Sequence, residues 1–162
     1  MTIEEIWWKY FENCKICRNG KICFTQKAKN FRSKRFKLMN IIICGAGRVG
    51  FTIAKLLTEQ NHSITVIDQS SEDIQKINES LDVKAIVGKA TSPSVLEKAN
   101  TNDADMIIAV TRNDEINMLI CQIAYSIFKV PKKIARIRSH EYLDPKFSSL
   151  FNKENLPIDY VI

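Results

Sequence analysis

No stretch of this 162-residue chain approaches the ~18 consecutive apolar residues that a bilayer-spanning helix needs. It also lacks the charged start, short apolar core and small-residue cleavage site of a secretory signal, so a soluble, intracellular protein is expected. Histidine is scarce. The two present, His62 and His140, have no Cys, Asp or Ser companion at catalytic or metal-ligand spacing, and both are expected at the surface. No low-complexity tract or internal repeat appears. Five cysteines is an odd number, and without a secretory signal they read as free thiols in a reducing compartment. Cys14, Cys17 and Cys23 offer three zinc ligands, one short of a closed structural site, while Cys44 and Cys121 sit in apolar surroundings that suggest core positions.

The net charge of +6 is unevenly spread. Residues 1–38 hold ten Lys/Arg against three Asp/Glu, and residues 39–162 hold fourteen against fifteen. The excess therefore lies wholly in the leading segment, so a basic core surface for nucleic acid is not indicated. That segment keeps no sustained period beyond Ile6-Trp7-Trp8-Lys9-Tyr10-Phe11. It reads as a basic N-terminal extension whose order the sequence does not decide. The plainer reading gives it no function, and the sharper one makes it an amphipathic arm on an anionic membrane.

What is present is concentrated at Met39. An apolar strand, Asn40 to Cys44, runs into Gly45-Ala46-Gly47-Arg48-Val49-Gly50, then a helix, then Ile64-Thr65-Val66-Ile67-Asp68. Each position has a physical task in holding a dinucleotide. Gly45 permits the tight turn, Gly47 lets the backbone approach a pyrophosphate, and Gly50 lets helix and strand pack closely. The helix directs its free N–H groups and positive dipole end at the phosphates. Asp68, 18 residues beyond Gly50, is placed to accept hydrogen bonds from ribose hydroxyls.

Onward from Met39, strands and helices alternate with short connections, as in a doubly wound parallel sheet of the Rossmann type. Six strands are expected: 40–44, 63–68, 83–87, 106–110, 133–138 and 157–162. The first helix carries Val49, Ile53, Leu56 and Leu57, and the second opens on Ser70 as N-cap with Ile74, Ile77 and Leu81 inward. Ser92-Pro93 starts a third. A fourth from Asp114 presents Ile120, Ala124 and Ile127 to the core, and a weaker fifth surrounds Phe147 to Phe151.

Ligands in such sheets lie outside the carboxyl ends of the strands, where the strand order reverses. Arg48 could reach a phosphate there, or remain a solvated turn residue. Thr111 and Arg112 follow the fourth strand and could contact ribose or phosphate, while Asn113 or Asp114 caps the next helix. Arg136 interrupts a strand that should be apolar, on one face with Ile134 and Arg138, which points to the ligand crevice or a partner surface over a snorkelling edge-strand residue. Gly88 and Ala90 would let an adenine ring lie close, where Lys89 could add a phosphate or carboxylate contact, an exposed lysine being the commoner outcome. Tyr125-x-x-x-Lys129 imitates the catalytic pair of short-chain dehydrogenases, but the glycine spacing differs and helix packing explains Tyr125.

These residues together resemble the N-terminal nucleotide-binding domain of the Trk-system potassium uptake protein TrkA family, of the RCK/KTN class. The carrying segments are Met39 to Gly50, Ile64 to Asp68, Ala104 to Thr111, Asp114-Glu115-x-Asn117-Met118, Ile134 to Arg138 and Pro157 to Ile162, which span everything after Met39. The resemblance implies binding of NAD(H) or an adenine nucleotide without hydride transfer. It implies a cytoplasmic regulatory subunit, peripheral to the inner face of the membrane, that controls a potassium transporter. By position it places nucleotide contacts at Gly45, Ala46, Gly47, Arg48, Val49, Gly50, Asp68, Thr111, Arg112 and Arg136. Arg48 stands where many members carry glutamine and suits an extra phosphate, which makes ATP or ADP the rival to NAD(H). Lys89 also departs from the usual small or amide residue. The chain ends at the sixth strand, where members continue, so a homo-oligomer or a missing partner chain is expected to complete the unit.

Two other function classes remain. An NAD-dependent oxidoreductase would need a substrate domain and an acid–base or nucleophile constellation, and neither follows the glycine motif. A truncated remnant that folds without regulating anything is the third reading.

Overall fold

In a computed structural model of the chain, residues 38–162 are described. The leading-segment expectations, including the Cys14, Cys17 and Cys23 ligand set and the amphipathic arm, lie outside the described residues. Six strands form one all-parallel sheet: β1 (Asn40–Cys44), β2 (Ser63–Asp68), β3 (Lys84–Val87), β4 (Met106–Ala109), β5 (Lys132–Ala135) and β6 (Tyr160–Val161). Their spatial order is β3-β2-β1-β4-β5-β6, so the direction of winding reverses between β1 and β4. Helices α1 (Arg48–Thr58), α2 (Ser71–Ser80), α3 (Pro93–Lys98) and α4 (Asp114–Ser126) make the crossovers.

The central strands are apolar because helices cover both of their faces. Ile41, Ile42, Ile43 and Cys44 of β1, with Ile107, Ile108 and Ala109 of β4, expose 2% or less. β3 lies at an edge and accordingly exposes Lys84 and Val87. Ser70 caps α2, accepting the Asp73 N–H at 3.2 Å. Asn113 does the same for α4, accepting the Ile116 N–H at 2.9 Å.

Four expectations need correction. His62 is buried, not at the surface: it follows Asn61, which turns at a φ of +62°, and its Nδ1 accepts the Met39 N–H at 3.3 Å. Ile127 is 55% exposed, because α4 ends at Ser126 and Lys129, at a φ of +56°, turns the chain back so that Val130 N–H reaches the Ala124 carbonyl. The segment Pro145–Leu150 is a 3₁₀ helix with Phe147 outward, and not an α-helix. β5 ends at Ala135, so Arg136 and Arg138 lie beyond the strand, and β6 is only two residues long.

Candidate functional site

The glycine turn sits where the winding reverses. Gly45 N–H donates to Ile67 O of β2 at 2.8 Å, and Val110 N–H beyond β4 donates to Cys44 O at 2.8 Å. Gly45 has a φ of +117°, and a Cβ there would lie 2.9 Å from the Val110 carbonyl carbon and oxygen. A Cβ on Gly50 would lie 1.7 Å from Gly45 O, so the first turn of α1 rests directly on the bend. Gly47 differs from both. Its φ is −64°, and a Cβ there would meet no heavy atom of the described residues within 4 Å. Protein packing therefore does not require glycine at 47, whereas a ligand approaching the backbone would.

α1 begins without any side-chain cap and with no acid in its first turn. By contrast α2 carries Glu72 and Asp73 behind its Ser70 cap, and α4 carries Asp114 and Glu115 behind Asn113. The first N–H groups of α1 thus remain open to an anion, at the positive end of the helix dipole. Ala46 is buried, Val49 half-buried and Arg48 exposed.

Asp68 closes β2 against this turn. Its Oδ2 accepts the Ala46 N–H at 2.6 Å and its Oδ1 accepts the Ser70 N–H at 2.9 Å. The carboxylate therefore braces the turn, and each oxygen still has a lone pair free for a ribose hydroxyl. Gly88 N–H donates to Asp68 O at 2.7 Å, which brings the exit of β3 alongside. A Cβ on Gly88 would strike Val95 Cγ1 at 2.9 Å, so its smallness also admits α3. Lys89 is exposed, as expected.

Across the reversal point, Thr111 leaves β4 and Arg136 leaves β5. Both meet Asn117 of α4, which is fully buried. Arg136 N–H still donates to Ala109 O at 2.8 Å, and its half-buried side chain makes no hydrogen bond or ion pair among the described residues. The Arg112 side chain is exposed, while its backbone carbonyl accepts from Arg138 Nη2. Arg138 is committed further to α4: Asp114 Oδ2 accepts its N–H at 2.7 Å, and Asp114 Oδ1 lies 3.6 Å from its Nε. Burial opposes ionisation of Asp114, but the Ser139 and Arg138 amides and the Arg138 guanidinium outweigh it and hold the carboxyl below its ordinary value.

The turn, Asp68, Thr111, Arg112 and Arg136 thus all lie at or just beyond the carboxyl ends of β1, β2, β4 and β5, with three guanidinium groups (Arg48, Arg112 and Arg136) uncommitted among the described residues. Such a rim suits a phosphorylated ligand. Asn117 was not among the expected contacts, although an amide interrupting the inward stripe Asp114, Met118, Cys121, Ala124 is a visible signal. Nor was Lys133, at the opposite end of β5. That lysine is 4% exposed, pairs with Asp159 at 2.8 Å, and donates to Val130 O and Pro131 O at 3.2 Å each. The Tyr125 ring lies between Lys133 and Lys129, at 5.4 and 5.6 Å from their Nζ atoms, which gives this tyrosine a packing role.

Residues 41–162 match the model of the TrkA-N domain. The Trk system potassium uptake protein TrkA of Azorhizobium caulinodans is 45% identical over 124 residues, which cover 76% of this chain and 27% of that protein. The chain therefore spans about a quarter of the length of that relative. Among solved structures, the TrkA-N domain of inner membrane protein ybaL from Escherichia coli superposes with a TM-score of 0.65 at 19% identity, covering 79% of this chain and 89% of that one. The GsuK channel bound to NAD superposes with a TM-score of 0.57 at 17% identity, over 86% of this chain and 25% of that one. At these identities the two structures speak to the fold alone. Among the described residues no helix is long and apolar enough to cross a membrane.

Proposed function

The chain belongs to the TrkA-N domain family, and from that premise we propose that residues 39–162 form a nucleotide-binding regulatory domain, with residues 1–38 as an extension. The observation that carries this reading is the uncapped N-terminus of α1 behind Gly47, whose missing side chain no contact among the described residues requires. The adenosine ribose lies against Asp68, the pyrophosphate on the turn from Gly45 to Gly50, and the remaining half against Thr111, Arg112 and Arg136. NAD(H) is the favoured ligand, and the GsuK channel offers a precedent on the same fold. Arg48, exposed at the helix start, supports ATP or ADP as the alternative, because its guanidinium suits a further phosphate.

The domain acts by binding and not by catalysis. Occupancy biases the crevice loops, and the bias passes to a membrane potassium transporter, as the relatives' role in potassium uptake suggests. Work at a transporter places the chain in the cytoplasm, peripheral to the inner face of the membrane, as a homo-oligomer or with a partner chain. Titration calorimetry of the 162-residue chain with NAD⁺, NADH, ATP and ADP tests the ligand. Asp68→Ala should weaken the binding nucleotide by about 1–3 kcal/mol through lost charge-assisted bonds. A folded chain that binds none of the four sinks the proposal. Turnover of NADH with a small carbonyl compound would put an oxidoreductase in its place.

A further inference from the structure

Asn117 is the one fully buried side-chain amide on the inward stripe of α4, among Met118, Ile120, Cys121 and Ala124. Its Oδ1 accepts the Thr111 N–H at 2.9 Å and the Thr111 hydroxyl at 2.7 Å. Its Nδ2 donates to Arg136 O at 2.8 Å and to Thr111 O at 3.4 Å. Every donor and acceptor of the amide is thereby used. The amide cannot be reversed either, since its NH₂ would then face the Thr111 N–H. An apolar residue would fill this core position without the desolvation cost of a buried amide. What the amide adds is a link between the loop after β4 and the chain leaving β5.

Both linked residues lie on the same side of the reversal point. Asp68, at the end of β2, lies on the other side, and no hydrogen bond joins it to Asn117. A dinucleotide in a doubly wound sheet spans that point, with one mononucleotide half on each side. We propose that Asn117 is a positioning residue for the second half of a bound dinucleotide, presetting Thr111 and Arg136 while leaving the adenosine half untouched. This rests on the nucleotide reading given above, and it adds a prediction that the reading does not make: the affinity advantage of a dinucleotide over AMP depends on Asn117.

The test is calorimetric titration of the full chain with NAD⁺ and with AMP, for the wild type, Asn117→Leu, Asn117→Asp and Ile120→Val. The last loses one core methylene near Asn117 and controls for general destabilisation. The wild type should bind NAD⁺ more tightly than AMP. Asn117→Leu should lower NAD⁺ affinity by ~10-fold or more and AMP affinity by less than ~3-fold. Ile120→Val should keep the wild-type ratio of the two. Asn117→Asp adds a signature that packing damage does not produce. As a carboxylate it faces the Arg136 and Thr111 carbonyls, and as a neutral acid it can donate to one of them, so burial raises its pKa. Its NAD⁺ affinity should therefore recover as pH falls from 8 to 5, with no matching recovery for AMP or in the wild type.

Asn117→Asp also decides the matter if Asn117→Leu does not fold. An unchanged NAD⁺-to-AMP ratio in a folded Asn117 variant overturns the proposal, as does an equal loss for both ligands. So does a wild type that binds both ligands equally. A wild type that binds neither overturns the nucleotide reading as well, which distinguishes the two failures.

Discussion

The three glycines of the turn should respond differently to the same methyl group, and the differences follow from the structure. We predict that Gly47→Ala leaves the fold intact and abolishes most nucleotide binding. Gly47 has a φ of −64° and open space around a Cβ, so alanine enters without strain. Two small terms then oppose each other. A stiffer unfolded chain stabilises by about 0.4–1 kcal/mol, and alanine at an N-cap costs about as much. The net change stays within ~1 kcal/mol, or roughly 4 °C in Tm for a domain of this size. The same methyl stands where the pyrophosphate must approach the helix start. Losing one charge-assisted backbone hydrogen bond there costs about 1.5–3 kcal/mol, or about 10- to 100-fold in affinity. Gly50→Ala should instead unfold the domain, because its Cβ would lie 1.7 Å from Gly45 O inside a packed turn. Gly45→Ala combines the +117° φ with contacts of 2.9 Å to the Val110 carbonyl, a cost of about 1–3 kcal/mol for backbone strain before the overpacking is added. Thermal melts of the three variants followed by calorimetry on the folded ones make the assay. A folded Gly47→Ala that binds its nucleotide as tightly as the wild type refutes the assignment of the turn to a phosphate.

Two further predictions concern the amino end of the sheet, away from the crevice. Burial lowers the His62 pKa, so the unfolded chain takes up a proton at higher pH than the folded one does. His62 therefore causes no loss above its unfolded value of ~6.5, and below that value stability falls as the pH drops toward 5; Tm measured against pH should lose that slope in His62→Gln. At the foot of β5, Asp159→Ala leaves the Lys133 ammonium buried with only carbonyls and the Tyr125 ring for company. Removing one member of a buried pair costs about 3–5 kcal/mol, and the 28% exposure of Asp159 reduces this to roughly 1–3. Adding Lys133→Met should restore much of the loss in urea unfolding, and a double variant no more stable than Asp159→Ala contradicts the account.

The parts of this molecule that were legible in the sequence are those whose cause is local. β1 and β4 showed as apolar runs because a strand covered on both faces has little room for a polar side chain. Ser70 was readable as a cap because its partner, the Asp73 N–H, is three residues away. Gly45 and Gly50 were readable because the turn itself requires them. The misread positions are those whose partners are distant in the chain. Arg138 looked like a further strand residue on the face of Ile134, but its N–H goes to Asp114, 24 residues earlier, and that carboxylate draws the backbone off β5. His62 was expected at the surface for want of a functional companion at close spacing, while the Met39 N–H that its imidazole accepts is 23 residues away. Nothing local marks Lys133 as buried: two carbonyls after the left-handed turn at Lys129 accept from its ammonium, and Asp159, far along the chain, supplies the countercharge. The candidate site divides along the same line. Its turn follows from six consecutive residues, whereas the relation of Thr111 to Arg136 depends on Asn117, an amide that a helical period alone marks as a flaw in the core. A buried polar residue that breaks an otherwise apolar stripe is thus where local pattern reading ends and the crevice of this fold begins to be specified.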